Sequence, residues 1–333
     1  MASMPPSPIR SRAWQSRDDT RRIQDLVRGR LARDWPAVRF HPGDIDWWVV
    51  GTHGRVPGMT DRVRLWFEGE PDQPIPADAA PIAYGWFGPP TDLDFVITSD
   101  DPDVVVPLMA EILAWADERR RTLAEGAIEP LRAWVSAADG AGSTALTTLG
   151  LRREEKLGFV HFTGDLDIAD AWPAPSLLRG LTIRPLEPEA DIAARVECGH
   201  AAFPGSTQTI ERYRTVADAW LYRRDLDRLI VTDDGRVVAF ALGWLDPMTR
   251  VVELEPVGVH PEWHRRGLGG EICRATLRAA RDLGAERAMI AADRTNAAAM
   301  ALYASLGLTI TADIVPYARP LESGVPVPAQ PGA

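Results

Sequence analysis

The chain has 333 residues, of which 45% are hydrophobic and 25% charged, a composition typical of a soluble globular protein with a full core. Its length favours two domains, because a domain usually holds about 100–200 residues. The formal net charge of −10 argues against a nucleic-acid-binding protein, which needs a basic face toward the phosphates.

The ends of the chain and its cysteines indicate a bacterial cytoplasmic protein. The first twelve residues contain arginines but no apolar segment behind them, and no stretch reaches the roughly 20 apolar residues of a membrane span. Cys198 and Cys273 suit neither a disulfide framework nor a metal site. Lysine occurs once, so 36 of the 37 basic residues are arginine, as in GC-rich bacterial genomes. The proline-rich residues 321–333 are predicted to be disordered.

The first half begins with a predicted strand, Ile9–Ala13, which leads into a helix near the acidic residues Asp18 and Asp19. A further strand is predicted at Asp94–Ile97. An acidic segment with the sequence TSDDPD follows it at residues 98–103.

Two segments of the first half recur in the second half at nearly one offset. Residues 85–91 (GWFGPPT) match residues 243–249 (GWLDPMT) at an offset of 243 − 85 = 158. Residues 148–151 match residues 305–308 at an offset of 157. A fixed offset indicates an internal duplication. We therefore predict a first domain at residues 9–165, a linker at 166–180 where prolines interrupt the pattern, and a second domain at 181–320.

The second half alternates strands, hairpins and helices, which predicts an α+β (mixed α/β) fold. Asp-Gly between alternating apolar runs is typical of a hairpin turn. The predicted strands are Leu181–Pro185, Arg228–Thr232, Val237–Trp244, Val251–Val259, Arg287–Ala291 and Thr309–Tyr317. The predicted helices begin near Glu187, near Leu268 and at Asn296.

A glycine-rich turn joins the strand that ends at Val259 to the helix that begins near Leu268. Its sequence, HRRGLGG, occupies residues 264–270. Glycines let backbone N–H groups approach a ligand, a helix N-terminus favours anions, and arginines bind phosphate. The turn is therefore predicted to hold a pyrophosphate group.

Three elements of the second half, in this order and spacing, resemble the GNAT superfamily of acyl-CoA-dependent N-acetyltransferases. They are the strand Glu253–Val259, the turn His264–Gly269, and the helix Asn296–Tyr303 that precedes Leu306-Gly307-Leu308. The resemblance spans about residues 181–320. It differs at His264, where the family usually has glutamine or arginine.

The resemblance implies acetyl-CoA as co-substrate, no metal, and two GNAT-like domains, each a mixed, mostly antiparallel twisted sheet flanked by helices. It implies that backbone groups near Val257 pair with the pantetheine arm, that Asn296 helps to fix this arm, and that Tyr303 protonates the leaving thiolate. The implied cofactor-binding residues are Val257, Gly258, Val259, His264, Arg265, Arg266, Gly267, Leu268, Gly269, Gly270, Asn296 and Tyr303.

The acceptor amine must lose a proton, so a general base is needed. Strand alternation predicts that Glu253 and Glu255 share a face with Val257 and Val259. In the family, a glutamate four residues before the first of these valines often serves as base, which favours Glu253 over Glu255. Among the aromatic residues, Phe203 and Tyr213 are candidates for lining the acceptor pocket and equally for packing in the core.

The first half lacks the site residues and the glycine-rich turn of the second half. Aligning Gly150 with Gly307 places Leu146 where Tyr303 stands and Asp139 where Asn296 stands. The acidic segment 98–103 would repel a pyrophosphate. The first half is therefore predicted to be a structural or substrate-shaping partner.

These observations predict a tandem GNAT-like enzyme, monomeric or homodimeric, whose second half acetylates a primary amine of a small molecule. One alternative is a mycothiol-synthase-like acetyltransferase, which is also a tandem GNAT with an active second half. Another is a non-catalytic acyl-CoA sensor or scaffold, although the retention of Glu253, Asn296 and Tyr303 argues against it.

Overall fold

The computed structural model describes residues 8–55, 58–70, 72–123, 129–155 and 158–319, and the strands described there form one mixed sheet. The predicted tail at 321–333 lies outside the described residues. The predicted fold class is confirmed, and three predicted strands, Ile9–Ala13, Leu181–Pro185 and Val251–Val259, have the bounds that the sequence indicated. None of the described helices is long and apolar enough to cross a membrane.

The first half contributes seven strands and five helices to the described structure. Its strands are β1 (Ile9–Ala13), β2 (Val63–Glu68), β3 (Ala83–Gly88), β4 (Asp92–Ile97), β5 (Arg132–Ser136), β6 (Arg152–Arg153) and β7 (Phe159–Asp165). Its helices are α1 (Arg17–Asp34), α2 (Pro42–Thr52), α3 (Met59–Arg62), α4 (Pro102–Leu123) and α5 (Gly140–Thr148). A 3₁₀ turn at Leu166–Ala171 follows, within the segment predicted to be a linker.

The second half has a similar order with one strand and one helix fewer. Its strands are β8 (Leu181–Pro185), β9 (Asp227–Thr232), β10 (Val237–Asp246), β11 (Val251–Val259), β12 (Arg287–Asp293) and β13 (Thr309–Ala318). Its helices are α6 (Pro188–Ala202), α7 (Ile210–Arg214), α8 (Leu268–Asp282) and α9 (Ala297–Ser305). Short 3₁₀ turns lie at Thr215–Asp218, Arg224–Leu226 and Pro261–Trp263.

The strands follow the order β1-β2-β3-β4-β5-β13-β7-β12-β11-β10-β9-β8, and β6 pairs with β13 beside this path. Each half contains one parallel pair, β4 with β5 and β11 with β12, and the other described pairings are antiparallel. The predicted domain boundaries at 9–165 and 181–320 stay a prediction, because the sheet runs through both halves without interruption.

The two halves exchange their last strands. β7, from the first half, lies between β12 and β13 of the second half and pairs with both along its length. β13 in turn pairs with β5 of the first half. Phe162 of β7 is 2% exposed and belongs to the core of the second half, together with Tyr303 and Leu308. The first half therefore supplies part of the second half's core.

The internal repeat is visible in local structure as well as in element order. Asp139 caps the N-terminus of α5 through Gly142 N–H at 2.8 Å, and Asn296 caps α9 through Ala299 N–H at 3.0 Å. At the C-terminal ends of these helices, the glycines 150 and 307 have φ values of 86° and 87°. Such a left-handed conformation favours glycine.

A second repeated feature has an offset of 172 residues, and the sequence analysis did not find it. Arg12 of β1 binds both carboxylate oxygens of Asp19 in α1, and Arg184 of β8 binds both oxygens of Asp191 in α6. In each case a backbone N–H four residues before the aspartate also donates to it. The same ion pair thus fastens the first strand of each half to its first helix.

Helices of the first half also pack against the second half. Arg28 of α1 donates to the buried carboxylate of Asp246 at 2.8 Å. Trp47 of α2 lies against Trp244 of β10, with ring centroids 6.3 Å apart. α2 therefore lies on the β10–β11 face of the second half, beside the site described below.

We expect Phe162→Ala to lower the free energy of unfolding of the whole chain by about 3–5 kcal/mol, because it removes a buried aromatic side chain from the shared core. Denaturant-induced unfolding followed by circular dichroism measures this change. Phe159→Ala on the same strand is the matched control, since Phe159 is 38% exposed. Equal losses in the two variants would contradict the central position of β7.

Candidate active site

A cleft opens where the parallel strands β11 and β12 separate. They pair only from Val251 to Glu253, opposite Arg287 to Met289, and the rest of β11 has no partner on that side among the described strands. The cleft has a volume of about 620 Å³, and its walls are the end of β11, the N-terminus of α8, and α9. Unpaired backbone groups of β11 are therefore available to a ligand.

A β-bulge in β11 changes which side chains face this cleft. Ala241 of β10 lies opposite Val257, whereas Gly243 lies opposite Leu254, so β11 contains one extra residue between these pairs. Leu254, Val257 and Val259 pack on the α8 side, whereas Glu253 lies opposite Trp244, whose side chain packs on the α6 side. The predicted alternation is therefore wrong: the bulge separates the face of Glu253 from that of the two valines.

The glycine-rich turn has the geometry of an anion site at the start of a 15-residue helix. Gly267 has φ 77° and immediately precedes α8. Arg265 and Arg266 are exposed, and within the described part of the chain neither has a carboxylate within 4.0 Å. Arg266 stacks on Trp263 at 4.7 Å. The N–H groups of the first helical turn and the guanidinium group of Arg265 thus share one end of the cleft, whereas Arg266 is not on the cleft wall and lies against the lining residue Trp263.

The unusual residue at the start of this turn contacts the strand. His264 donates from Nε2 to the carbonyl oxygen of Val259 at 3.0 Å. The side chain of His264 therefore stabilises the path of the turn at the edge of β11.

Helix α9 carries both of its predicted site residues to the cleft wall. Asn296 uses its Oδ1 to cap the helix, which leaves its amide nitrogen available to donate. Tyr303 is 7% exposed, and its ring packs edge-on against Phe162 at 5.7 Å. Burial, together with Cys273 and Glu255, raises the pKa of Tyr303, so the phenol is protonated at neutral pH.

Three carboxylates from both halves meet beside the cleft. Oxygen atoms of Asp44 in α2 and of Glu253 and Glu255 in β11 lie within 4.8 Å of one another. Glu255 lines the cleft, whereas Glu253 is 2% exposed and lies behind it. We call these three residues the carboxylate cluster. Sequence analysis identified the two glutamates but missed Asp44.

A capping box places Asp44 at this position. The Asp44 carboxylate accepts from His41 N–H at 2.8 Å, and His41 Nδ1 accepts from Gly43 N–H at 2.9 Å. His41 Nε2 donates to the carbonyl oxygen of Val251 at 3.1 Å, which fastens α2 to β11. The sequence HPGD signals a helix start, but nothing in it indicates that the helix lies against a strand more than 200 residues away.

Burial controls the protonation of the carboxylate cluster. It raises the pKa of Glu253, Glu255 and Asp44, and the negative charges within the cluster raise the glutamate pKa values further. Burial also lowers the pKa of His41 to about 4, so this imidazole is neutral at pH 7. The carboxylate cluster therefore gains and loses its protons at a higher pH than exposed carboxyl groups do.

The two aromatic candidates for the acceptor pocket lie in different environments. Phe203, at the end of α6, is 44% exposed and lines the cleft. Tyr213 is 2% exposed, and its hydroxyl group donates to the buried carboxylate of Asp227 at 2.9 Å. Tyr213 packs in the core and is not on the cleft wall, so only Phe203 remains a candidate for the acceptor pocket.

The first half has a corresponding opening between β4 and β5, with a volume of about 600 Å³. Arg30 of α1 extends into it and donates to the carbonyl oxygen of Ile97 at the free end of β4. It also contacts Asp100 and Asp139 at 3.1 and 3.5 Å. An arginine of the chain itself thus occupies the strand end that is free in the second half, and Leu146 is fully buried at the position corresponding to Tyr303.

Comparisons with known proteins agree with this geometry. A model of the acetyltransferase (GNAT) family matches residues 197–308. A mycothiol acetyltransferase of Amycolatopsis mediterranei is 30% identical over 214 residues, which cover 60% of this chain and 68% of that protein.

Solved structures share the fold across both halves. A GCN5-related N-acetyltransferase from Sphaerobacter thermophilus aligns with a TM-score of 0.61 at 18% identity, covering 93% of this chain and 94% of that one. A tandem GNAT protein from the clavulanic acid biosynthesis pathway aligns with a TM-score of 0.63 at 14% identity, covering 93% and 98%.

Proposed function

Since the chain belongs to the GNAT acetyltransferase family and is an N-acetyltransferase, we propose that it moves an acetyl group from acetyl-CoA directly to a primary amine of a small-molecule acceptor. The mycothiol acetyltransferase relative and the retention of Glu253, Asn296 and Tyr303 argue against the non-catalytic sensor. The observation that carries the proposal is the single cleft between β11 and β12, which has the anion site at one end and both Tyr303 and Glu255 on its walls.

The cleft suits acetyl-CoA as donor. The N–H groups at the start of α8 and the guanidinium groups of Arg265 and Arg266 would bind the pyrophosphate. The unpaired edge of β11 around Val257 would hydrogen-bond the pantetheine arm, and an N–H there would polarise the thioester carbonyl group. The amide nitrogen of Asn296 would hold the arm from the opposite wall.

The reaction then needs one proton donor and one proton acceptor. The amine nitrogen bonds to the acetyl carbon, the carbon–sulfur bond breaks, and the leaving thiolate takes the proton of the Tyr303 hydroxyl group. Tyr303 can take this role because it lines the cleft and its phenol is protonated at neutral pH.

The proton of the acceptor amine passes to the Glu253–Glu255 pair, which acts as one acid–base unit. The sequence pattern favoured Glu253 as the base, and Glu255 is the member that lines the cleft. Because each carboxylate lies close to the other, a proton received by Glu255 is shared with Glu253. The raised pKa of the pair makes it a stronger base than an exposed carboxylate.

A second candidate acceptor is an amino-sugar thiol of the mycothiol type. The Amycolatopsis relative, a mycothiol acetyltransferase, favours it. Incubating the protein with acetyl-CoA and a panel of amino-sugar thiols, aminoglycosides, amino acids and polyamines, followed by mass spectrometry of the products, distinguishes these acceptors. A panel without any acetylated product would contradict the proposed function.

Acetyl-CoA is expected to bind once per chain, in the second half. Replacing both Arg265 and Arg266 by alanine should weaken binding about 10- to 1000-fold, because two charge-assisted phosphate contacts are lost. Isothermal titration calorimetry measures the stoichiometry and the affinity. Arg281→Ala at the far end of α8 is the control and should bind normally. Two sites per chain would show that the first-half cleft also takes the donor.

Tyr303→Phe is expected to keep its affinity for acetyl-CoA and to lower kcat about 10²- to 10⁴-fold, the range typical of a lost general acid. The benzene ring remains, so packing against Phe162 is preserved. Steady-state kinetics and donor titration separate the two effects. An unchanged kcat would mean that the thiolate takes its proton from another source.

Replacing Glu253 or Glu255 by glutamine should lower kcat near neutral pH in both cases. The double variant should be no slower than the slower single variant, because residues that act as one unit are not additive. All three should recover toward high pH, where more of the amine is already neutral. In the unaltered protein, activity should rise with pH through a pKa above the usual glutamate range, because the base must first lose its proton.

Rate–pH profiles of the four proteins measure these effects. A loss confined to Glu253→Gln, with Glu255→Gln unaffected, would assign the base to Glu253 alone and contradict the paired unit.

A further inference from the structure

The cleft between β11 and β12 is closed at one end. The two strands stay paired up to Glu253 and Met289, so the cleft begins only beyond this pair. At the other end, β11 leads into the glycine-rich turn and β12 leads to Asn296. The anion site therefore lies at the open end of the cleft, and the paired strands close the opposite end.

Three almost inaccessible side chains form the floor of the cleft. Leu254 is the first residue of β11 after the last pair with β12, and it is 2% exposed. Ala292 of β12 is 5% exposed, and Tyr303 of α9 is 7% exposed. All three line the cleft and also belong to the core of the second half. Leu254 therefore sets the depth of the cleft at its closed end.

The core around Leu254 is filled on both sides. Continuing the register of β11 and β12 places Ile290 opposite Leu254, and Ile290 is 1% exposed. On β10 the opposite residue is Gly243, which has no side chain, but a Cβ atom there would lie 3.1 Å from Thr276 and 3.2 Å from Leu226. Leu254 therefore has no adjacent empty space into which a longer ligand could push it.

The proposed reaction directs the acyl group toward this floor. With the pyrophosphate at the open end and Tyr303 as the proton donor to the sulfur atom, the acyl group extends beyond the sulfur toward the closed end. The amine arrives from the side of Glu255, whose carboxylate lies next to that of Glu253. The acyl chain therefore points to the opposite side, where Leu254 packs toward α8.

We propose that Leu254 is a specificity-determining residue that limits the transferred acyl group to acetyl. The inference rests on the proposed function and adds the length of the acyl group. A propionyl group has one more carbon atom than acetyl, and a butyryl group has two more. Each added carbon would have to displace close-packed side chains, which is unfavourable in a filled core.

Acetyl-CoA, propionyl-CoA and butyryl-CoA test this limit. The unaltered protein should bind butyryl-CoA about 10- to 100-fold more weakly than acetyl-CoA, and kcat/KM should fall in the same order. Isothermal titration calorimetry without an acceptor measures the three affinities, and thiol release with an accepted amine measures kcat/KM.

Two variants shorten the side chain in steps. Leu254→Ala removes three carbon atoms, which leaves room for the two extra carbons of butyryl, so the three donors should then differ by less than about threefold. Leu254→Val removes one carbon atom and should accept propionyl-CoA while still disfavouring butyryl-CoA. Thermal unfolding of both variants monitors the fold, and Leu254→Val carries the test if Leu254→Ala does not fold.

Leu302→Ala is the matched control. Leu302 lines the same cleft, but it lies at the anion site, where a Cβ atom on Gly269 would be 3.1 Å from its side chain. This variant should change the affinity for the three donors by the same factor. The inference is overturned if the unaltered protein takes butyryl-CoA as well as acetyl-CoA, if neither Leu254 variant changes the ratio between donors, or if Leu302→Ala changes it equally.

The calorimetric titrations separate this inference from the proposed function, because they need no acceptor. Donor affinities that follow the length of residue 254, without acetylation of any amine, would support the inference and contradict the proposed function. Acetylation of an amine, with donor ratios that stay the same in both Leu254 variants, would support the proposed function and overturn the inference.

Discussion

The pairing of β7 with β12 on one side and β13 on the other is the constraint on which the rest of the structure depends. Backbone N–H and C=O groups in a core must be paired, and here the first half pairs those of the second. Because β12 is held from that side, its other edge can separate from β11 after three residue pairs. The cleft exists because a strand from the other half stabilises one of its walls.

The same exchange explains why two copies of one fold have diverged in function without separating in space. Both copies keep the Arg–Asp ion pair at their first strand, the cap at the last helix, and the divergence of their parallel strands. In the first copy, Arg30 fills the strand end that is free in the second. The scaffold is retained in both, whereas only one copy keeps a free strand edge and an arginine-rich turn.

Local patterns predicted much of the fold and part of the site. Alternating apolar residues and turn signals placed β1, β8 and β11 at their observed bounds, and the glycine-rich turn at the start of α8. The sequence did not indicate the exchange of β7 and β13. Each strand has the same pattern of apolar residues whether it pairs within its own half or with the other half. Strand alternation also predicted that Glu253 shares a face with Val257. This prediction was wrong because the bulge in β11 adds one residue to the strand, and nothing in the residue types marks its position. Asp44 was missed because its contact with Glu253 depends on how two distant elements pack.

The position of β13 in the chain has a consequence for synthesis on the ribosome. β5 ends at Ser136, but its partner residues in β13 begin at Ile314, which is 314 − 136 = 178 residues later. At about 5–20 residues per second, the ribosome needs roughly 9–36 s to make them. During that time the nascent first half exposes the edges of β5 and β7, and exposed edges invite pairing with other chains. A message truncated before β13 would therefore yield a chain whose β5 and β7 edges stay unpaired. Such a chain would be a substrate for chaperones and proteases rather than a folded but inactive enzyme.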